Sequence, residues 1–218
     1  MSGLQTEIAG ERVRLLAERA LFWERGRALI VADLHWGKAA TFRAAGVPIP
    51  AGTTADDLAR LDRALARTDA RRLILLGDLY HARAGLRADS TRLAAAAWRA
   101  RHPALDVLLV RGNHDRRAGD PPSDLDIEVV DAPHTVAPFE LRHEPAGSGQ
   151  GYTLAGHIHP GYIVSGAGRQ WERLPCFVLG DHGAILPAFG SFTGTAAIEA
   201  RATDRVYVIA EDEVIAVR

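Results

Sequence analysis

Aspartate, asparagine and histidine recur in five short clusters: Asp33-Leu34-His35, Gly77-Asp78, Gly112-Asn113-His114-Asp115, His143 and Gly156-His157-Ile158-His159. Carboxylate oxygen, amide oxygen and imidazole nitrogen form the mixed donor set that suits manganese, iron, zinc or nickel. An extended backbone at Asp33-Leu34-His35 would turn both side chains to one side, because alternate strand residues share a face. His157-Ile158-His159 repeats the spacing and could feed two adjacent cations. A glycine ahead of the ligands, at Gly77, Gly112 and Gly156, lets the backbone turn sharply and leaves room for cations. Two divalent cations held by Asp33, Asp78 and one hydroxide would leave roughly one positive charge. That balance suits a phosphodiester and does not exclude a monoester.

Taken singly, these motifs are ordinary. Asp-X-His also opens turns and capped helices, Gly-Asp is a common turn dipeptide, and surface loops carry histidines. Gly-Asn-His-Asp after a buried strand is the sharpest, and the ordered combination at strand ends carries the reading.

The elements that must position the clusters are legible as apolar runs just ahead of them. Residues 20–24 and 28–32 read as two strands joined by a tight turn at Arg25-Gly26-Arg27. Residues 72–76 and 106–110 read as buried strands. Between them, Leu58, Leu61 and Leu65 stand at helical spacing behind Thr54 as N-cap, with Asp56 and Asp57 in the first turn. Residues 89–101 form an Ala-rich helix. This alternation predicts a parallel sheet with crossover helices. Ligands of such sheets bind beyond the carboxyl ends of the strands, so the clusters should converge on one crevice. After about Pro121, short strand-like runs at 127–130, 135–141, 152–155, 176–179, 184–187 and 206–210 predict a second, more antiparallel sheet packed on the first. Residues 145–151 read as a loop. The expected class is α/β (α+β): a two-sheet β-sandwich flanked by helices, one domain over residues 1–218.

With 218 residues, 47% hydrophobic and 24% charged, the chain has the size and composition of a soluble globular domain. A net charge of -1 argues against a protein that coats long stretches of duplex, so any nucleic-acid contact should be a local arginine-lined cleft. Lys38 is the only lysine. Cys176, alone and within an apolar run, can form no internal disulfide and reads as a small buried hydrophobe. No signal-peptide pattern opens the chain, and no run approaches the roughly 18 apolar residues of a membrane span. The expectation is a cytoplasmic protein with no membrane contact.

The ordered series of clusters resembles the signature of the calcineurin-like metallophosphoesterases over most of the chain, and the family's two-sheet sandwich agrees with the strand pattern. Carried over residue by residue, the resemblance implies that Asp33, His35, Asp78 and His159 hold one cation. Asp78, Asn113, His143 and His157 would hold a second, with Asp78 bridging. His114 matches the family's catalytic histidine, which contacts the phosphate and can protonate the leaving oxygen. Asp115 would orient that imidazole. Many relatives carry aspartate where this chain has His81, which leaves His81 either behind the ligands or in contact with substrate or leaving group. The implied reaction is in-line hydrolysis by a water whose pKa two cations lower. No cysteine or Gly-X-Ser-X-Gly nucleophile suggests a covalent intermediate.

A closer resemblance covers residues 33–50, Gly77-Asp78-Leu79-Tyr80-His81, Leu141-Arg142-His143-Glu144-Pro145, residues 156–161 and residues 186–194. These segments are similar to the bacterial ligase-associated DNA damage response endonucleases. The resemblance implies a metal-dependent DNA endonuclease in DNA repair, single-stranded DNA favoured, with manganese as the first expected cation. It also implies functional association with a DNA ligase, a helicase and an exonuclease, and leaves the oligomeric state open, a homodimer included. The alternatives are a small-nucleotide phosphodiesterase, a phosphomonoesterase, or a binding module of the same fold without catalysis. Lys38, Arg43, Arg83, Arg87, Arg116 and Arg117 flank the motifs as candidate phosphate contacts. Trp36 and Tyr80 are candidates for base stacking, with packing around the site as the competing reading.

Overall fold

The computed structural model describes residues 3–49, 52–145, 151–166, 168 and 170–218. A first sheet runs in chain order through β1 (Leu4–Ile8), β2 (Glu11–Leu16), β3 (Ala20–Trp23), β4 (Ala28–Val31), β5 (Arg72–Leu75), β6 (Asp106–Val110) and β7 (Glu128–Val130). Its first four strands are antiparallel hairpins, and β4 to β7 are parallel. Helices α1 (Lys38–Ala44) and α2 (Thr53–Ala66) cross from β4 to β5, and α3 (Arg83–Arg87) and α4 (Asp89–Arg101) from β5 to β6. Helix α5 (Asn113–Ala118) and a 3-10 turn at Ser123–Leu125 lead into β7.

The central strands are apolar throughout because both faces are covered. Leu29, Val31, Leu73, Leu75, Val107 and Leu109 pack against the helices with Leu58, Leu61, Ala95 and Trp98. The alternate residues Ala28, Ile30, Ile74, Leu76, Leu108 and Val110 face the second sheet and meet Phe139, Leu154, Phe177 and Leu186. That sheet comprises β8 (His134–Val136), β9 (Phe139–Leu141), β10 (Tyr152–Ala155), β11 (Pro160–Ser165), β12 (Trp171–Leu179), β13 (Gly183–Ile185), β14 (Ala196–Ala197), β15 (Arg205–Ala210) and β16 (Glu213–Ala216). Its order is β14-β11-β12-β13-β10-β9-β8, with β15 on β12 and β16 on β15. The two-sheet, helix-flanked architecture is the one the sequence predicts.

Several details differ. The 127–130 run pairs with β6 and closes the first sheet, where its valines pack beside Leu108–Val110. The second sheet is mixed, since β9, β10 and β13 are parallel neighbours. The 135–141 run splits into β8 and β9, which pair as a hairpin. Thr54 lies inside α2, whose N-cap is Gly52. Its hydroxyl instead accepts the Gly37 N–H at 3.3 Å. Strands β1 and β2 escape a search for apolar runs because polar residues alternate along them. Of the predicted 145–151 loop, residues 146–150 lie outside the described residues, as does Pro50 at the end of the first motif. No described helix is long and apolar enough to cross a membrane.

Candidate metal centre

Beyond their strands the β4 and β5 chains stay paired. The Asp33 N–H donates to the Gly77 carbonyl at 3.2 Å, His35 N–H to Asp78 at 2.8 Å and Trp36 N–H to Leu79 at 2.7 Å. The 188–190 segment, which follows β13, closes over them, with Phe189 N–H on the Ala32 carbonyl at 2.7 Å and Gly190 N–H on that of Asp33 at 3.1 Å. Within this frame the backbone at Asp33, His35, Asp78, His157 and His159 is left-handed, with φ of 56, 50, 53, 69 and 51°. Asp33-Leu34-His35 is therefore not extended, and the shared-face argument fails. Two left-handed residues, not a strand pleat, aim both side chains inward. Positive φ at non-glycine residues gathers at functional sites, where surrounding bonds hold the strain. Of the glycines ahead of the ligands, Gly77 has positive φ (79°). A Cβ at Gly77, Gly112 or Gly156 would collide with His143, Asp78 or Asp33 respectively. The room they leave is taken by those three side chains.

Three groups of donors result, each with its ligand atoms within 4.8 Å of one another: Asp33, His35 and His159; Asp78, His143 and His157; and His35, His81 and His114. In the first, His35 Nε2 faces His159 Nε2 at 3.3 Å. In the second, His143 Nε2 lies 3.1 Å from His157 Nδ1 and 2.9 Å from Asn113 Oδ1. Asp78 stands between these two groups, Oδ1 3.4 Å from His143 Nε2 and Oδ2 3.7 Å from His35 Nε2. His157 and His159 face different groups.

The tautomers are set from behind. His143 Nδ1 is 2.9 Å from the Leu76 carbonyl, and His159 Nδ1 is 3.2 Å from that of Gly194. A proton on each Nδ1 leaves Nε2 as a free lone pair pointing inward, as metal-binding imidazoles require. Asp33 Oδ2 accepts the His157 N–H at 2.8 Å. Its Oδ1 is buried with no hydrogen-bond partner among the described residues, 3.5 Å from His159 Nε2. A buried, unpartnered carboxylate oxygen is costly, and a cation there would satisfy it. Burial lowers the His35 pKa to about 2, which keeps the ring neutral and able to ligate. Burial also acts to lower that of His143, but contact with Asp78, with Asp33 nearby, carries it up to about 9. That is the field of two buried carboxylates, which bound cations would relieve. The residues present fit two divalent metals.

His114 sits beside this pair. Its Nδ1 is 2.6 Å from the His81 carbonyl, and its Nε2 is 4.0 Å from Asp78 Oδ2. The His81 ring stacks on it at 4.8 Å, with His81 Nδ1 3.5 Å from His35 Nδ1. Asp115 departs from expectation. Its buried carboxylate accepts the N–H groups of Asp78 (2.8 Å), Gly112 (2.9 Å) and Tyr80 (3.2 Å). The carbonyl of His81, not Asp115, orients the His114 ring.

The sequence model of the calcineurin-like phosphoesterases matches residues 26–192. The chain belongs to that family. The crystal structure of a Pseudomonas putida nuclease, MPE, superposes with a TM-score of 0.85 at 46% identity, covering 99% of this chain and 100% of that one. No curated protein matches the sequence.

In this calcineurin-like phosphoesterase the candidate DNA contacts sort differently from expectation. Trp36 and Tyr80 are 2% and 1% exposed and pack on each other at 6.0 Å, with Trp98 beneath Trp36 at 6.4 Å. They are core, and unavailable to a base. Arg116 pairs with Asp131, and Arg43 donates to the Ile49 carbonyl. Arg83, Arg87 and Arg117 are exposed. Lys38 of the phosphoesterase is half-buried beside the site, its ammonium 5.9 Å from the Phe192 ring. Residues missed from the sequence are Phe42 and Phe192, whose rings meet at 5.8 Å next to His81. Separate apolar residues carry no local pattern that would have marked them.

Proposed function

We propose that this phosphoesterase is a metal-dependent DNA endonuclease that favours single-stranded DNA and uses two divalent cations, manganese first. In this reading it serves bacterial DNA repair alongside a ligase, a helicase and an exonuclease. The observation that carries it is the pair of donor groups with Asp78 between them. Similarity to a protein described as a nuclease supports the substrate class.

Asp33, His35, Asp78 and His159 would hold one cation, and Asp78, Asn113, His143 and His157 the other. Bound there, the cations supply a water-derived nucleophile at neutral pH and neutralise the phosphate's non-bridging oxygens. The rest falls to the chain. With Nδ1–H donated to the His81 carbonyl, His114 presents Nε2 outward, where a proton can pass to the departing oxygen. His81 stacks on that ring at 4.8 Å, and in this reading it would either support the ligands from behind or meet the leaving group from the same side. Asp115 acts through the backbone as a positioning residue. His157 and Ile158 are exposed, so the site opens to solvent, which suits a polymer better than an enclosed small ester.

The test uses metal-stripped protein supplied with manganese, magnesium, zinc, nickel or calcium. Its substrates are a circular single-stranded DNA, a chromogenic diester and a chromogenic monoester. Cutting of the circle, lost in His114→Ala and in Asp78→Ala, is the expected result. Hydrolysis of only the small esters would remove the DNA assignment and leave the two-metal hydrolase.

A further inference from the structure

A row of rings leads away from His114. His114 and His81 stack at 4.8 Å with 25° between planes, and His81 and Phe42 at 6.2 Å with 30°. Phe192 then meets Phe42 edge-on at 5.8 Å. All four are only partly buried. Two phenyl rings left half-open beside a polar, charged site are poor core and good stacking surface. Over Phe192 stands Lys38, its ammonium 5.9 Å from the ring centre. Burial lowers the Lys38 pKa, and no ion pair to it occurs among the described residues. It is a desolvated cation at the edge of a phosphoesterase site.

The ledge is rigid. The turn that carries Phe192 is held from beneath by a buried ionic group. Asp57, 4% exposed, accepts the Ser191 N–H at 2.9 Å and pairs with Arg60 at 2.7 Å. Arg60 donates to the Phe189 carbonyl and lies over its ring at 4.6 Å. Arg19 reaches the carbonyls of Ala188 and Gly190 at 3.3 and 3.4 Å. Such pre-organisation lowers the entropy lost on binding.

We propose that Phe42, Phe192 and Lys38 seat an unpaired nucleotide beside the scissile phosphate, its base stacked on the phenyl ledge and its adjoining phosphate on Lys38. The inference rests on the nuclease reading and deepens it. A half-open ring can stack only on a base whose face is free, so the ledge selects single strands over duplex at the cleavage site. Lys38 adds a non-specific phosphate contact.

The experiment has two arms, both on the full chain with calcium in place of manganese. A ten-nucleotide single strand carrying 5-iodouracil is irradiated on wild-type protein, and the cross-linked peptides are sequenced. Affinity for the same strand is measured by fluorescence anisotropy in Phe192→Ala, Phe192→Trp and Lys38→Gln. Cross-links at Phe42 or Phe192 are expected. Binding should weaken roughly fivefold or more in Phe192→Ala, consistent with about 1–3 kcal/mol per stacked base, and recover in Phe192→Trp. The salt slope should fall by about 0.7 in Lys38→Gln, the value of one single-strand phosphate. Cross-links elsewhere, with Phe192→Ala binding as wild type does, would overturn the ledge while circle cutting by wild type keeps the nuclease. If wild type neither binds nor cuts single strands yet hydrolyses the diester, both readings fall together.

Discussion

Asp115 holds Asp78 by its main chain: the carboxylate Oδ2 accepts the Asp78 N–H at 2.8 Å, and Oδ1 accepts that of Tyr80 two residues on. The same Oδ2 accepts the Gly112 N–H at 2.9 Å. One buried side chain thus fixes the β5 and β6 loops relative to each other. In Asp115→Asn an amide N–H would face a backbone N–H, leaving one of the three unsatisfied. We expect a loss of about 1–3 kcal/mol in stability by urea unfolding. Manganese affinity by calorimetry should drop about 10–100-fold. The pH profile of kcat should keep its shape. An altered profile with metal affinity intact would instead place Asp115 in proton transfer.

Metal removal should loosen the protein. Asp33 Oδ1 is buried with no hydrogen-bond partner among the described residues, and Asp78 lies close by between the donor groups, so stripping the cations leaves buried negative charge that protonation of His143 offsets only in part. Manganese at about 100 times its Kd should add about 2.7 kcal/mol per site, seen as a higher melting temperature. Asp33→Asn should gain less than wild type from added manganese. An equal gain in the two proteins would show that Asp33 is no ligand.

The ionic group under the Phe192 turn should be fragile to single changes and tolerant of paired ones. Asp57→Ala leaves Arg60 buried and uncompensated, and should lose about 3–5 kcal/mol. Asp57→Leu combined with Arg60→Met should recover much of that loss in chemical denaturation. Recovered stability without recovered single-strand affinity would show that the ion pair serves the ledge more than the fold.

Cys176 should be silent in the folded protein. Burial pushes its thiol from 9.0 up to about 12, so at pH 8 a thiol reagent should modify it only as fast as the chain opens. Between pH 9 and 12 the unfolded chain gives up a proton that the folded chain keeps. Stability therefore falls as pH rises, by up to about 1.4 kcal/mol per pH unit from this group. Tyr152, pushed from 10.0 to about 12 by burial, acts in the same direction. Unfolding measured at pH 8 and 10.5 should show the fall, and Cys176→Ala should make it shallower.

The candidate ligand clusters were legible because particular donor atoms sit directly after strands whose apolar runs are themselves legible. Asp33-Leu34-His35 was found by composition even though the backbone argument for it was wrong, since left-handed φ at Asp33 and His35 leaves no trace in residue type. The role of Asp115 was misread because its partners are backbone groups up to 37 positions away, and any residue supplies an N–H. Phe42 and Phe192 were invisible for a related reason. Their meaning comes from a contact across 150 positions and from an ionic support in which Asp57 reaches Ser191. The 127–130 run was placed in the wrong sheet because strand pattern reports burial and says little about the partner strand.

The left-handed backbone at Asp33, His35, Asp78, His157 and His159 sets the fold and the site against each other. Each such residue lowers stability by roughly 1–2 kcal/mol relative to a relaxed backbone, and glycine at the same place escapes that strain. A library of this chain selected only for survival of heating would drift toward glycine at these five positions. Selected without added cation, its survivors would bind manganese less well than the natural protein. Thermostability should therefore be sought outside these positions, with metal uptake scored in the same screen.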